Sequence, residues 1–233
     1  MRYNLFLFTI LFALSSFAPN LPKDIYPKNF VAVSPFKKVE MLYNSLDANK
    51  YSLPSLKSFS IGFEGFELLK EQGKIRNNYL TIIDFTLSSK TNRLWVIDMN
   101  ENKIVFNTLV AHGKNSGEDV ATRFSNAIDS NKSSLGFFTT GETYIGQHGL
   151  SLKLDGLENG INNNARQRAI VVHGADYVSK NFINQENRLG RSQGCPALPV
   201  GLSKKIIEVI KNKSCLFIYS ASSGYEKKSK LIS

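Results

Sequence analysis

Leu80-Thr81-Ile82-Ile83-Asp84-Phe85, then Leu94-Trp95-Val96-Ile97-Asp98 and the run from Lys103 to Leu109, decide how this chain folds. Each is short, apolar and rich in β-branched or aromatic residues. The last two flank Asn100-Glu101-Asn102 and read as a hairpin. Further short strands are predicted at 136–139, 151–154, 169–172 and 215–219, with one helix over about 202–211 between the last two.

Upstream the period is helical. Ser34-Pro35 gives an N-cap with proline at the first helical position, and Phe36, Val39, Leu42 and Leu46 follow on one face. After Pro54, Leu56, Phe59, Phe63, Phe66 and Leu69 form a second stripe, weakened by Gly62 and Gly65 and stopped at Gly73. Mostly strands with a few outlying helices predict a mainly β fold with peripheral helices (α+β), its core a sandwich or barrel.

The first residues read as an export signal. Arg2 is followed by an apolar run from Leu5 to Ala18, too short for a spanning helix and ending in small residues. The expected organisation is a signal at 1–18, an arm and helical scaffold at 19–76, a catalytic domain at 77–221 and a loose polar tail at 222–233. No other segment is apolar enough to enter a bilayer, and the oligomeric state is not legible. The formal net charge is +10. In an exported chain with scattered basic residues, that charge fits an acidic extracytoplasmic polymer better than nucleic acid.

There are two cysteines. Cys215 sits in the apolar run Ser214-Cys215-Leu216-Phe217-Ile218-Tyr219, where it packs as a small hydrophobe. Cys195 sits in Gly190-Arg191-Ser192-Gln193-Gly194-Cys195-Pro196, a polar glycine-flanked loop. These neighbourhoods argue against the disulfide that an oxidising compartment would otherwise favour. His173, in Val172-His173-Gly174, ends an apolar strand 22 residues before Cys195. An imidazole that takes a thiol's proton makes a nucleophile at neutral pH, and backbone N–H groups of Gln193, Gly194 and Cys195 would bind a developing oxyanion. On spacing alone the pair fits a packed histidine and an incidental thiol equally well. A zinc site from His112, His148, His173 and Cys195 lacks close ligand pairs, and no metal is expected. No phosphate loop, dinucleotide fingerprint or serine elbow is present, so no cofactor is expected.

His173-Gly174 followed by Ser192-Gln193-Gly194-Cys195 resembles the signature of the murein L,D-transpeptidase catalytic domain family, of YkuD-like fold. Val110-Ala111-His112-Gly113, Ser133-Ser134-Leu135-Gly136-Phe137, Gly141-Glu142-Thr143-Tyr144, His148-Gly149-Leu150-Ser151-Leu152 and Leu154-Asp155-Gly156-Leu157-Glu158 extend the resemblance, in order, across about residues 79–220. Two features depart from the family pattern. Gln193 stands where a histidine usually precedes Gly-Cys, and the His-to-Cys interval is longer, implying a loop extension over 181–188.

The resemblance implies a β-sandwich or barrel core and an enzyme acting on peptidoglycan stem peptides. Cys195 would be acylated by a tetrapeptide stem with release of D-alanine, with His173 as base and the Gly174 carbonyl orienting the imidazole. The thioester would pass to a stem amine, a protein amine or water. A catalytically silent wall-binding module is the alternative of a different class. Arg191 is a candidate for a substrate carboxylate or for a loop-supporting ion pair. His148 and Tyr144 are candidates for the donor cleft, or for a structural histidine and a core aromatic. Ser192 is placed to hydrogen-bond near Cys195 or to cap its loop.

Overall fold

The computed structural model describes residues 35–221 and 224–232; the expected signal, its cleavage site, the arm up to 33 and the Ser34 cap lie outside them. Helix α1 spans Pro35–Asn44 and α2 spans Leu56–Glu71. Ser55 caps α2, its hydroxyl accepting the Ser58 N–H at 3.1 Å. The apolar stripe of α2 buries Phe59, Phe66 and Leu69 in the same core as the sheet. Gly62 and Gly65, unfavourable in an isolated helix, lie on that buried face. A Cβ at Gly65 would sit 2.1 Å from the Phe137 ring. The helix gives up propensity of about 1 kcal/mol per glycine and gains the close approach of a stacked Phe137–Phe217 pair, 4.4 Å apart.

The strands are β1 (Tyr79–Asp84), β2 (Leu94–Asp98), β3 (Lys103–Thr108), β4 (Gly136–Gly146), β5 (Gly149–Gly156), β6 (Val171–Gly174), β7 (Ala197–Leu198) and β8 (Cys215–Tyr219). They form one sheet in the order β3-β2-β1-β8-β4-β5-β6-β7. β8 pairs in parallel with β1, Leu80 facing Cys215, and antiparallel with β4, Phe137 facing Phe217. β1, β2 and β8 are buried almost throughout, which is why they read as unbroken apolar runs. Just beyond β3, Ala111 bridges to Ala197 of β7, its N–H donating to the Ala197 carbonyl at 2.9 Å. The two ends of the sheet thereby meet and the fold is a nearly closed barrel with helices outside it. Among the described residues no helix is long and apolar enough to cross a membrane.

Four local expectations are corrected. The strand expected at 136–139 continues to Gly146 as one arm of a long β4–β5 hairpin. The strand expected from 169 starts at Val171, because Ala169 takes a left-handed φ of 52° at the end of the preceding turn. The loop extension at 181–188 is largely a helix, α3 (Lys180–Glu186), capped by Ser179 and ended by Asn187 at φ 54°. The tail is not loose over 224–232: Tyr225 is buried, and its hydroxyl and that of Ser229 donate to the buried Glu158 carboxylate. The last helix, α4, spans Val200–Ile210.

Candidate active site

β6 brings His173 to the site. In a strand, alternate side chains share a face, so Val171 and His173 look one way while Val172 enters the core. The His173 Nδ1–H donates to the Gly174 carbonyl at 2.9 Å. That bond fixes the tautomer and leaves Nε2 as the free base. Burial, with His148 nearby, holds the His173 pKa below the ordinary imidazole value, against the opposing Gly174 bond. The ring is therefore neutral at neutral pH.

The loop bearing Cys195 is held mainly by its backbone. Ser192 N–H donates to His112 O at 2.9 Å, and Lys114 N–H donates to Ser192 O at 2.8 Å. The Ser192 hydroxyl donates to the Cys195 carbonyl at 2.6 Å and accepts the Gly194 N–H at 3.0 Å. Gly194 has φ +124°, and a Cβ there would lie 2.9 Å from the Lys132 carbonyl oxygen. Only glycine fits on both counts. Gly194 N–H is committed to Ser192, whereas the N–H groups of Gln193 and Cys195 have no partner among the described residues.

Cys195 and Cys215 are both free thiols. Cys215 is fully buried, and burial pushes its pKa far up. The Cys195 thiol donates to the Ala169 carbonyl at 3.7 Å and accepts the Val171 N–H at 3.5 Å. Among the described residues it makes no hydrogen bond to His173, although both line one cleft of about 660 Å³. Burial raises the Cys195 pKa; the Val171 N–H and the Arg168 guanidinium oppose that rise. The resting pair is thus a thiol and a neutral imidazole.

Arg191, Ser192, Gln193, His148 and Tyr144 line the same cleft. His148, at the tip of the β4–β5 hairpin, stacks on His173 with ring centroids 4.4 Å apart and planes at 20°. Tyr144 is exposed at the rim, under the Lys153 ammonium at 5.5 Å. Arg191 Nη1 donates to Glu118 at 2.6 Å and to the Gly117 carbonyl at 3.1 Å, which ties the Cys195 loop to the 114–118 turn.

Sequence reasoning gave no role to Arg168, Tyr177, His112 or Arg93. Arg168 and Tyr177 line the cleft, and burial with the nearby Cys195 raises Tyr177 to about 12. His112, assigned no role, is a buried support: its Nδ1 accepts from Arg93 at 2.8 Å, and its Nε2–H donates to Gly117 O at 3.2 Å. Burial and Arg93 hold it down at about 4. Arg93 is itself fully buried, donating to the Val110 and Leu87 carbonyls with its guanidinium over the Phe85 ring. Burial lowers it to about 9. Of these residues only His112 lies in a run that resembles the family, Val110-Ala111-His112-Gly113; Arg93, Arg168 and Tyr177 lie outside those runs and carried no signal of their own.

Comparison with known proteins gives one family model, described as the L,D-transpeptidase catalytic domain, matching residues 51–219. No curated protein matches the sequence. Similar solved structures include an L,D-transpeptidase from Mycobacterium smegmatis, at 10% identity and TM-score 0.40, over 61% of this chain and 59% of that one. Another is the helical cell shape determining protein Pgp2 from Campylobacter jejuni, at 15% identity and TM-score 0.43, over 68% and 56%. A third is an L,D-transpeptidase from Enterococcus faecium, at 12% identity and TM-score 0.37, over 62% and 50%. The chain spans between half and three-fifths of the length of these structures.

Proposed function

Because the chain belongs to the L,D-transpeptidase catalytic domain family, we propose that it is a cysteine-dependent L,D-transpeptidase of peptidoglycan. The observation that carries this reading is one cleft holding a free thiol, Cys195, and a neutral imidazole, His173, whose Nδ1–H is bonded to Gly174 O so that Nε2 is the base. The thiol turns from Ala169 O toward the imidazole and loses its proton to Nε2. Its sulfur attacks the carbonyl between the third residue of a tetrapeptide stem and the terminal D-alanine. The N–H groups of Gln193 and Cys195 receive the oxyanion; one good donor is worth about 3 kcal/mol. The C–N bond breaks, the leaving amine takes the proton from His173, and a thioester remains on Cys195. An amine of a second stem or of a protein then attacks the thioester, His173 again accepting the proton; the C–S bond breaks as the new amide forms, and His173 returns the proton to the Cys195 sulfur. Arg191, His148 and Tyr144 line the walls that the donor stem would occupy. The proposed compartment is the periplasm or cell envelope, where the run from Leu5 to Ala18 would send the chain.

Mass spectrometry of the protein incubated with purified tetrapeptide muropeptides tests this reading. The expected result is a thioester adduct on Cys195, released D-alanine and crosslinked dimers, all absent in Cys195→Ala. Tripeptides without dimers would make water the acceptor. D-Alanine released by the Cys195→Ala protein would refute the assignment.

A further inference from the structure

Arg168 stands out among the arginines around the cleft by what it lacks. Arg166 pairs with Asp155 and Glu142, while Arg188 and Arg191 share Glu118. Arg168 has no carboxylate within ion-pairing distance among the described residues. Its guanidinium is fixed by neutral acceptors alone. Nη1 donates to the Ser125 carbonyl at 2.8 Å and to the Ser134 hydroxyl, and Nη2 donates to the Lys132 carbonyl at 2.6 Å and the Ser130 hydroxyl at 3.2 Å. Those four bonds use every N–H of the two terminal nitrogens, so the group cannot grip a substrate carboxylate in bidentate fashion without being released first. What it retains is its charge, half-buried and held in place.

That charge is held against the nucleophile loop. Nη2 lies 3.3 Å from where a Cβ of Gly194 would stand, and the next residue in sequence, Ala169, provides the carbonyl that receives the Cys195 thiol. Both Arg168 and Cys195 line the cleft. The other groups facing the thiol do not supply a comparable charge. His173 is neutral at rest, Tyr177 stays protonated, and Arg191 is committed to Glu118. Lys114 and Asp129 are exposed residues of the same cleft.

We propose that Arg168 is the fixed cation that stabilises the ionised form of Cys195, a task separate from proton removal by His173. The inference rests on Cys195 being the nucleophile, and it acts through that residue without contact to substrate. The positive field of the guanidinium favours thiolate over thiol and offsets part of the burial cost, while its neutral ligands leave the charge unquenched.

The test is the pH dependence of Cys195 alkylation by iodoacetamide, followed by mass spectrometry, with buried Cys215 as the unreactive control. Arg168→Gln should raise the apparent thiol pKa by on the order of one pH unit or more, and Arg168→Lys should restore most of the difference. Ser130→Asp keeps the arginine but sets a carboxylate against Nη2, and should move the profile the same way as Arg168→Gln. It also covers the case in which Arg168→Gln fails to fold. An unchanged profile in folded Arg168→Gln, or in Ser130→Asp where the former does not fold, would overturn the proposal. Alkylation needs no peptidoglycan, so this failure is distinct from failure of the proposed transpeptidase activity.

Discussion

Acid should loosen the support behind the Cys195 loop before it affects most of the fold, and His112 is the group that transmits it. Its ring accepts from Arg93 on one side and donates to Gly117 on the other, and its own carbonyl receives the Ser192 N–H. A second ring proton would face the Arg93 guanidinium with no acceptor. The unfolded imidazole titrates at about 6.5, the folded one at about 4, because burial first and Arg93 second disfavour the charged form. Between those values the unfolded state binds more protons. The stabilisation is therefore complete above the unfolded value and is lost as pH falls toward the folded one. A gap of about 2.5 pH units at about 1.4 kcal/mol each gives about 3 kcal/mol when fully expressed, and about 2 kcal/mol by about pH 5. Urea denaturation at pH 7.5 and pH 5 of the wild type and His112→Gln measures it. Glutamine can accept from Arg93 and donate to Gly117 but does not titrate, so contributions from His173 and Glu158 cancel in the comparison. The wild type should lose about 2 kcal/mol more than the variant over this interval. Parallel losses would refute the reasoning.

Two further outcomes follow from contacts at the site and at the tail. Since the His173 pKa is depressed first by burial and then by the neighbouring His148, the acid limb of Cys195 acylation should lie below the ordinary imidazole value. His148→Phe keeps the stack without a second imidazole and should move that limb upward; His148→Ala should move it further, and an unmoved limb in both would remove His148 from the site. Glu158 takes the Phe137 N–H and the hydroxyls of Tyr225 and Ser229, so Glu158→Ala should cost about 2 kcal/mol. It should also free the backbone at the already exposed Lys227, Lys228 and Lys230 for trypsin, read by mass spectrometry of the cleavage products; a tail as resistant as in the wild type would rule out the docking role.

The parts of the fold legible in the sequence are those whose residues all face the core. Leu94–Asp98 and Cys215–Tyr219 match their predicted bounds because every position is buried and all but Asp98 are apolar. The outer arm of β4 escaped notice because Gly141-Glu142-Thr143-Tyr144-Ile145-Gly146 leaves the core for the cleft rim and carries the polar and glycine residues of a turn. Helix α3 was hidden for a related reason. Lys180-Asn181-Phe182-Ile183-Asn184-Gln185-Glu186 buries no residue, so no apolar stripe marks it, and only Ser179 and Asn187 punctuate it. The docked tail depends on Glu158, some seventy residues away in sequence, and no local pattern carries such a contact.

At the site, legibility divides along the same line between identity and juxtaposition. Cys195 and His173 were readable because the glycine-flanked loop and the strand end that carry them stand among runs that resemble one family in order; the pair alone was ambiguous. Arg168 was not, since an arginine without a carboxylate partner looks like any other until the fold surrounds it with Ser125, Ser130, Lys132 and Ser134. The departure at Gln193 shows how the two kinds of information meet. Position 193 is exposed, and its side chain makes no hydrogen bond among the described residues. The loop takes its shape from Ser192, which binds Gly194 and Cys195 through one hydroxyl, and from the φ that Gly194 alone can hold. Replacing a histidine at 193 therefore leaves the course of the backbone intact, and the backbone N–H is the same for either residue. The loop's shape rests on Ser192 and Gly194, and with Cys195 those are the positions at which this chain keeps to the pattern.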